Sequence, residues 1–146
     1  MKEISKQIRF VVASAENKLH RITDDEAGNK PNPGKWSKKE ILGHLIDSAA
    51  NNHQRFVRAV YNKADSFPLY NQDDWVRIQQ YNNSSWELLI DFWSVYNRHL
   101  SDLIERIPEE AKSSLCNFAE PQPVALEFVI TDYLRHLKHH VDQLIA

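Results

Sequence analysis

Trp36-Ser37-Lys38-Lys39-Glu40-Ile41-Leu42-Gly43-His44-Leu45-Ile46-Asp47 is the stretch that decides the fold. Ser37 and Glu40 have the spacing of a reciprocal capping box, in which each side chain accepts from a backbone N–H that the first helical turn leaves without a partner. Trp36 and Ile41 stand at the positions of a hydrophobic staple, so a helix begins here at a defined entry angle. Downstream, Leu42, Leu45, Ile46, Ala49, Phe56 and Val60 keep helical spacing to about Tyr61, with His44, Ser48 and Asn52 along the edge of that apolar face at successive turns.

The same period recurs on both sides. Ile4, Ile8, Val11, Ala15, Leu19 and Ile22 predict a first helix that ends near Thr23, before Asp24-Asp25, Gly28, Pro31, Pro33 and Gly34. After a connection containing Pro68, Asp73 or Asp74 can cap a short helix through Trp75 and Ile78. Ser84 with Glu87 reads as a second capping box, opening a helix that carries Leu89, Phe92, Tyr96, Leu100 and Leu103 until Pro108 stops it. The last helix is expected from about Val124 to Leu144. Three glycines in all and no long alternating strand pattern point to an all-α protein, a four-helix bundle with a short extra helix or loop between helices 2 and 3. Without an internal repeat or a linker, residues 1–146 read as a single domain of ordinary size.

Composition narrows the function classes. Apolar residues at 42%, charged residues at 26% and a formal charge of −2 fit a globular protein with scattered basic residues, so no nucleic-acid partner is expected. No stretch has the length of a membrane span, so no membrane role is expected. The lone Cys116 excludes an internal disulfide and fits a cytoplasmic setting. It lies in an expected loop with no activating base nearby in sequence, which argues against a nucleophilic thiol.

Chemistry concentrates in the histidines. Of seven, three fall in Arg135-His136-Leu137-Lys138-His139-His140. Positions four apart lie one turn above another, so His136 and His140 can aim ring nitrogens at one point. On the helical wheel they border the core face of Ile130, Leu134, Leu137, Val141 and Leu144, beside Val129 and Tyr133, whereas His139 turns toward solvent. A pair of this kind is a weak signal alone, because transition metals need three or more protein ligands. His44, at the edge of the second helix, is the third candidate. His53 falls on the apolar side and reads as a packed, hydrogen-bonded core histidine, and His20 and His99 as surface or packing residues. The aromatic residues Trp75, Tyr81, Trp86, Phe92, Trp93 and Tyr96 read as packing.

Taken together, Trp36-Ser37-x-x-Glu40, Gly43-His44-Leu45-Ile46-Asp47 and His136-x-x-His139-His140-x-x-Gln143 make the chain resemble the DinB superfamily, including YfiT-like metal-dependent hydrolases and related thiol S-transferases. The resemblance covers nearly the whole chain. It implies a four-helix bundle, often a homodimer, with one divalent metal on the residues that stand here as His44, His136 and His140. Many relatives carry Arg-Gly where this chain has Val141-Asp142, a departure that touches any thiol cosubstrate rather than the trio.

Three neutral imidazoles leave coordination positions free, the arrangement with which a metal acidifies water or polarises a substrate. The expected activity is therefore metal-dependent hydrolysis, or transfer of a thiol, on a small-molecule substrate. Zinc, nickel, manganese and iron all suit histidine nitrogen. A di-iron centre is not expected, since Glu-x-x-His pairs are missing. Asp47 and Asp132, on the helices that carry the ligands, are candidate proton carriers, and Arg55 is a candidate for steadying an anionic group of the substrate. The competing expectation is a binding or stress-response module whose metal is structural or absent, because no unambiguous base or nucleophile is evident.

Overall fold

The capping box at the second long helix is made. Glu40 N–H donates to Ser37 Oγ at 3.1 Å, and Ser37 N–H donates to Glu40 Oε2 at 2.8 Å. In the computed structural model, which describes residues 1–119 and 121–146, the chain runs α1 (Lys2–Leu19), α2 (Asp24–Gly28), α3 (Lys38–Tyr61), β1 (Ala64–Ser66), α4 (Gln72–Gln79), α5 (Trp86–Arg106), β2 (Leu115–Asn117), β3 (Val124–Ala125) and α6 (Leu126–Ile145). The four long helices are the expected ones.

Their ends differ from expectation for local reasons. α1 stops at Leu19, because Thr23 serves a capping box of its own, with Glu26, that opens α2. α4 is capped by Asn71, not by Asp73 or Asp74: Asn71 Oδ1 accepts from Asp74 N–H at 3.0 Å, and both aspartates sit in the first turn, where the helix dipole favours them. α5 starts on Ser85 instead of Ser84. The chain turns through Gln80 at φ 50° and a short 3₁₀ segment at Tyr81–Asn83, and Ser84 N–H is taken by Tyr81 O. Its neighbour's Oγ then accepts from Leu88 N–H at 3.2 Å.

The three short strands were not foreseen. β1 pairs in parallel with β2, with Ala64 opposite Leu115, and β2 pairs antiparallel with β3. With two or three residues each, they are too short to alternate visibly, and they place the buried Cys116 in a strand, not a loop.

α5 and α6 each pack on both α1 and α3. Consecutive long helices α1 and α3 therefore face each other across a diagonal, as do α5 and α6. The core between them is closed by Ile8, Val12, Leu42, Phe56, Trp93, Leu100 and Ile130, all fully buried. Each such side chain contributes roughly 1.5–3 kcal/mol by leaving water. α3 and α6 run antiparallel, with Lys38 Nζ at the start of one donating to the Leu144 carbonyl at the end of the other at 2.5 Å. That register sets His44 opposite His136 and His140. No helix among the described residues is long and apolar enough to cross a membrane.

Candidate metal centre

His44 is on the face of α3 turned toward α6, buried to 1% exposure under the ring of Trp36, whose centroid lies 5.0 Å away. The staple residue thus roofs the histidine eight positions later. From α6, His136 and His140 converge on the same point: His44 Nε2 and His136 Nε2 are 3.0 Å apart, and the His44 ring lies 4.8 Å from that of His140, edge to face. One ring nitrogen from each of the three falls within 4.8 Å of the others. The spacing of four along α6 and the antiparallel register with α3 are enough to produce this convergence.

Two of the three outer nitrogens are held, while His44 Nδ1 is buried without a partner among the described residues. His136 Nδ1 lies 3.4 Å from Ser48 Oγ, and His140 Nδ1 lies 2.8 Å from Gln143 Oε1. With N–H on its outer atom, His136 turns the lone pair of Nε2 toward His44. Burial pushes the imidazoles toward the neutral form, His44 down to about 3 and His136 down to about 4, with the neighbouring rings adding to the effect; His140 is lowered by burial as well. Neutral imidazole is the form that ligates metal. A cation bound to nitrogen at about 2.0–2.1 Å keeps its ligand atoms about 3 Å apart, which is the spacing between the two Nε2 atoms. The donor set therefore fits one transition-metal ion with further coordination positions open.

A cavity of about 320 Å³ opens beside His136. Ser48, Asn52 and Arg55 of α3 form one wall and Val129, Asp132 and Tyr133 of α6 another. Two of the sequence candidates, Arg55 and Asp132, thus border the same space as His136. Asp132 lies one turn before His136, with its carboxylate 2.6 Å from Arg135 Nη2. Asp47 does not line that cavity. It is buried on another side of α3, where Tyr81 Oη donates to its Oδ1 at 2.5 Å and Gln79 Nε2 donates at 2.7 Å, while Oδ2 has no partner among the described residues. Burial raises the Asp47 carboxyl above its usual range, and the two hydrogen bonds oppose the rise.

The other histidines behave as their positions suggest. His53 is half-buried, with Nδ1 3.0 Å from Tyr96 Oη; His20 and His99 are exposed; His139 meets Gln143 Nε2 at 3.3 Å outside the trio. Sequence reasoning placed Ser48 on the polar seam without seeing its bond to His136. The signal was there: a hydroxyl one turn beyond a candidate ligand. Tyr70 and Phe118, on connections far apart in sequence, carried no signal as cavity walls.

A helical bundle with three convergent histidines on two antiparallel helices is the class of protein that the fold and the site define. The DinB superfamily model matches residues 7–144, and the chain belongs to that superfamily. In Oceanobacillus iheyensis a protein named "Putative metal-dependent hydrolase OB0413" is 26% identical over 105 residues, which is 72% of this chain and 60% of that protein. The chain thus spans about three fifths of that curated relative's length. Among solved structures, YfiT from Bacillus subtilis, described as a probable metal-dependent hydrolase with an unusual four-helix bundle topology, superposes with a TM-score of 0.84 at 16% identity, over 97% of this chain and 82% of that one. A mycothiol-dependent maleylpyruvate isomerase gives a TM-score of 0.78 at 16% identity, over 99% of this chain and 60% of the other. At such identities these two likenesses concern the fold.

Proposed function

We propose that this chain is a single-domain, metal-dependent hydrolase acting on a small molecule, with one divalent ion held by His44, His136 and His140. The observation that carries the reading is the convergence of one buried imidazole, His44, and two half-buried ones, His136 and His140, from two helices, with the outer nitrogens of the latter two bonded to Ser48 and Gln143. Such outer bonds fix tautomer and ring direction, as they do around bound metals generally. When bound, an ion at this position supplies Lewis acidity and lowers the pKa of water near neutrality.

The chain's own residues do the rest. The cavity beside His136 admits the substrate and screens it from bulk water. Asp132, on its wall and half-exposed, takes up the proton released by the attacking water and passes it to solvent, with Arg135 holding the carboxylate in place. Asp47 acts through α3: its bonds to Tyr81 and Gln79 fix the turn that bears His44, which makes it a positioning residue. Transfer of a thiol would use the same ions and walls, and the fold shared with a mycothiol-dependent isomerase keeps it as the second reading.

An exposed apolar stripe on α5, Leu88, Phe92 and Val95 at 62%, 51% and 63% exposure, supports a homodimer as the working form. We place the protein in the cytoplasm, with neither nucleic acid nor membrane as partner, a reading supported by its low net charge and single cysteine.

The test is hydrolysis of a panel of small esters and amides by protein reconstituted with zinc, nickel, manganese or iron. Turnover that a chelator removes, that one metal restores and that His44→Ala lacks while keeping its helical circular dichroism is the expected result. Turnover by metal-free protein overturns the proposal. A chelator that lowers the melting temperature while neither the hydrolytic panel nor thiol transfer turns over assigns the ion to stabilising the bundle.

A further inference from the structure

Arg55 is a charge in search of an anion. Its guanidinium carbon lies 4.7 Å from the centroid of the Phe118 ring and 5.9 Å from that of Tyr70, so two aromatic faces flank it. Asn52 Oδ1, at 3.5 Å from Nη1, is its one hydrogen-bond acceptor among the described residues. A guanidinium has five N–H donors, and leaving them unmet in a half-buried place is costly. The carboxylates of the neighbourhood are engaged elsewhere, Asp65 with Arg58 at 2.8 Å and Asp132 with Arg135 at 2.6 Å. Cys116, behind the guanidinium, is a neutral thiol, pushed up to about 11 by burial.

Position gives the charge a direction. Arg55 continues the line His44, Ser48, Asn52 along one face of α3, and at 1.5 Å per residue its Cα is roughly 16 Å along the axis from that of His44. Helical side chains lean toward the N-terminus, so the guanidinium reaches back over the cavity toward the trio. Arg55 and His136 border the same space, whose volume of about 320 Å³ suits a small molecule. Phe128 and Val129 add apolar wall between them. The lining supplies one permanent cation and, on the opposite side, the carboxylate of Asp132, a balance that favours one negative charge over two.

We infer that this cavity takes a small monocarboxylate with an apolar, aromatic-sized body: the carboxylate seats on the fork of Arg55, the body lies against Phe118 and Tyr70, and the reacting group points to His136. A guanidinium matches a carboxylate in two parallel hydrogen bonds, a geometry that an ammonium cannot reproduce. The inference rests on the proposed metal-dependent reading for what happens at the far end of the cavity, though not for the binding of the carboxylate.

The experiment is isothermal titration of the full chain with benzoate, with its uncharged analogue benzamide and with phenylphosphonate. Wild-type protein is expected to prefer benzoate to benzamide by about tenfold or more, the scale of a charge-assisted pair. Arg55→Gln is expected to bring that ratio close to one without weakening benzamide, and Arg55→Lys to lower it severalfold. His44→Ala, stripped of metal, is expected to keep it. A ratio unchanged in Arg55→Gln, or abolished in His44→Ala, overturns the inference, the latter by moving the carboxylate to the metal position. Tighter binding of phenylphosphonate than of benzoate overturns the single-charge assignment. Should Arg55→Gln lose its helical signal, Arg55→Lys decides, an unchanged ratio counting against the guanidinium. Failure of the metal reading shows separately, as wild-type protein that binds no metal yet keeps its preference for benzoate.

Discussion

One turn of α3 carries two buried polar clusters with opposite chemistry. At His44 one ring nitrogen from each of three imidazoles falls within 4.8 Å of the others, and the nearest pair is 3.0 Å apart. At Asp47, three residues later, one carboxylate oxygen, Oδ1, receives two donors, from Tyr81 and Gln79, while Oδ2 has no partner among the described residues. Both lie at or below 2% exposure. Burial alone therefore does not mark a reactive site; what separates the two is whether donors from neighbouring residues are aimed at the buried acceptor, as at Asp47 Oδ1, or ring nitrogens from two helices converge on one point.

The sharpest way to break this contrast is metal content. Protein reconstituted with each candidate ion and then desalted is expected to hold a full equivalent by elemental analysis, and His44→Ala, His136→Ala and His140→Ala to hold essentially none. Asp47→Asn and His53→Ala are expected to keep it. Metal lost from Asp47→Asn would merge the two clusters into one site.

Next in size is the packing around the second cluster. A Cβ built on Gly43 would lie 2.1 Å from Tyr81 Cδ2 and 2.3 Å from Cγ, a ring held by burial and by its bond to Asp47. Gly43→Ala is expected to cost about 3 kcal/mol, the upper part of the range for overpacking, seen as a fall of roughly 6–12 °C in melting temperature. Adding Tyr81→Ala makes room for the methyl group, so the double variant should lose less than the sum of the two. Strict additivity would mean that Tyr81 does not sit on Gly43.

Smaller effects come from the bonds behind the ligands. Ser48→Ala and Gln143→Ala are each expected to weaken metal affinity by about 10–100-fold in competition with a chelating dye, as second-layer bonds do elsewhere. Tyr96→Phe, which removes the hydroxyl from His53, leaves it unchanged.

How much of this was legible in the sequence follows from which interactions are local. The capping box at Ser37 and Glu40, the apolar period of the long helices and the pairing of His136 with His140 all lie within a turn or two of helix, where spacing dictates geometry. His44 could be singled out because it borders an apolar face, and the resemblance of its surroundings to a known family named the same residue. The three-stranded sheet, by contrast, joins residue 64 to 115 through backbone bonds that no side-chain pattern records. The cap of α5 moved from Ser84 to Ser85 because a left-handed Gln80 redirects the chain, and nothing in Gln-Tyr-Asn-Asn demands that turn. Asp47 and Asp132 looked alike in sequence, each on a ligand-bearing helix. Their difference in surroundings depends on Tyr81 and Gln79, which arrive from a separate connection.

The weakest effect, and the one that tests the second cluster most directly, is the dependence of stability on pH at Asp47. Burial without a neighbouring cation raises its carboxyl in the folded state above the ordinary value of 3.8, so folding favours the protonated form. The sign follows from linkage. Below the unfolded pKa both states carry the proton and folding bears no charge-burial cost; as pH rises through the higher folded pKa, the unfolded chain ionises freely while the folded one must bury a charge, and stability is lost. Asp47→Asn keeps an oxygen to accept from Tyr81 and Gln79 but cannot ionise. The stability of wild type relative to Asp47→Asn should therefore be greatest in acid and decline as pH climbs from about 3 toward neutrality, read from denaturant melts at matched ionic strength. A difference that grows with pH instead would mean that the buried carboxylate is stabilised as an anion, and that its unpartnered Oδ2 finds a cation, which would make Asp47 part of the metal's surroundings rather than a separate neighbour of them.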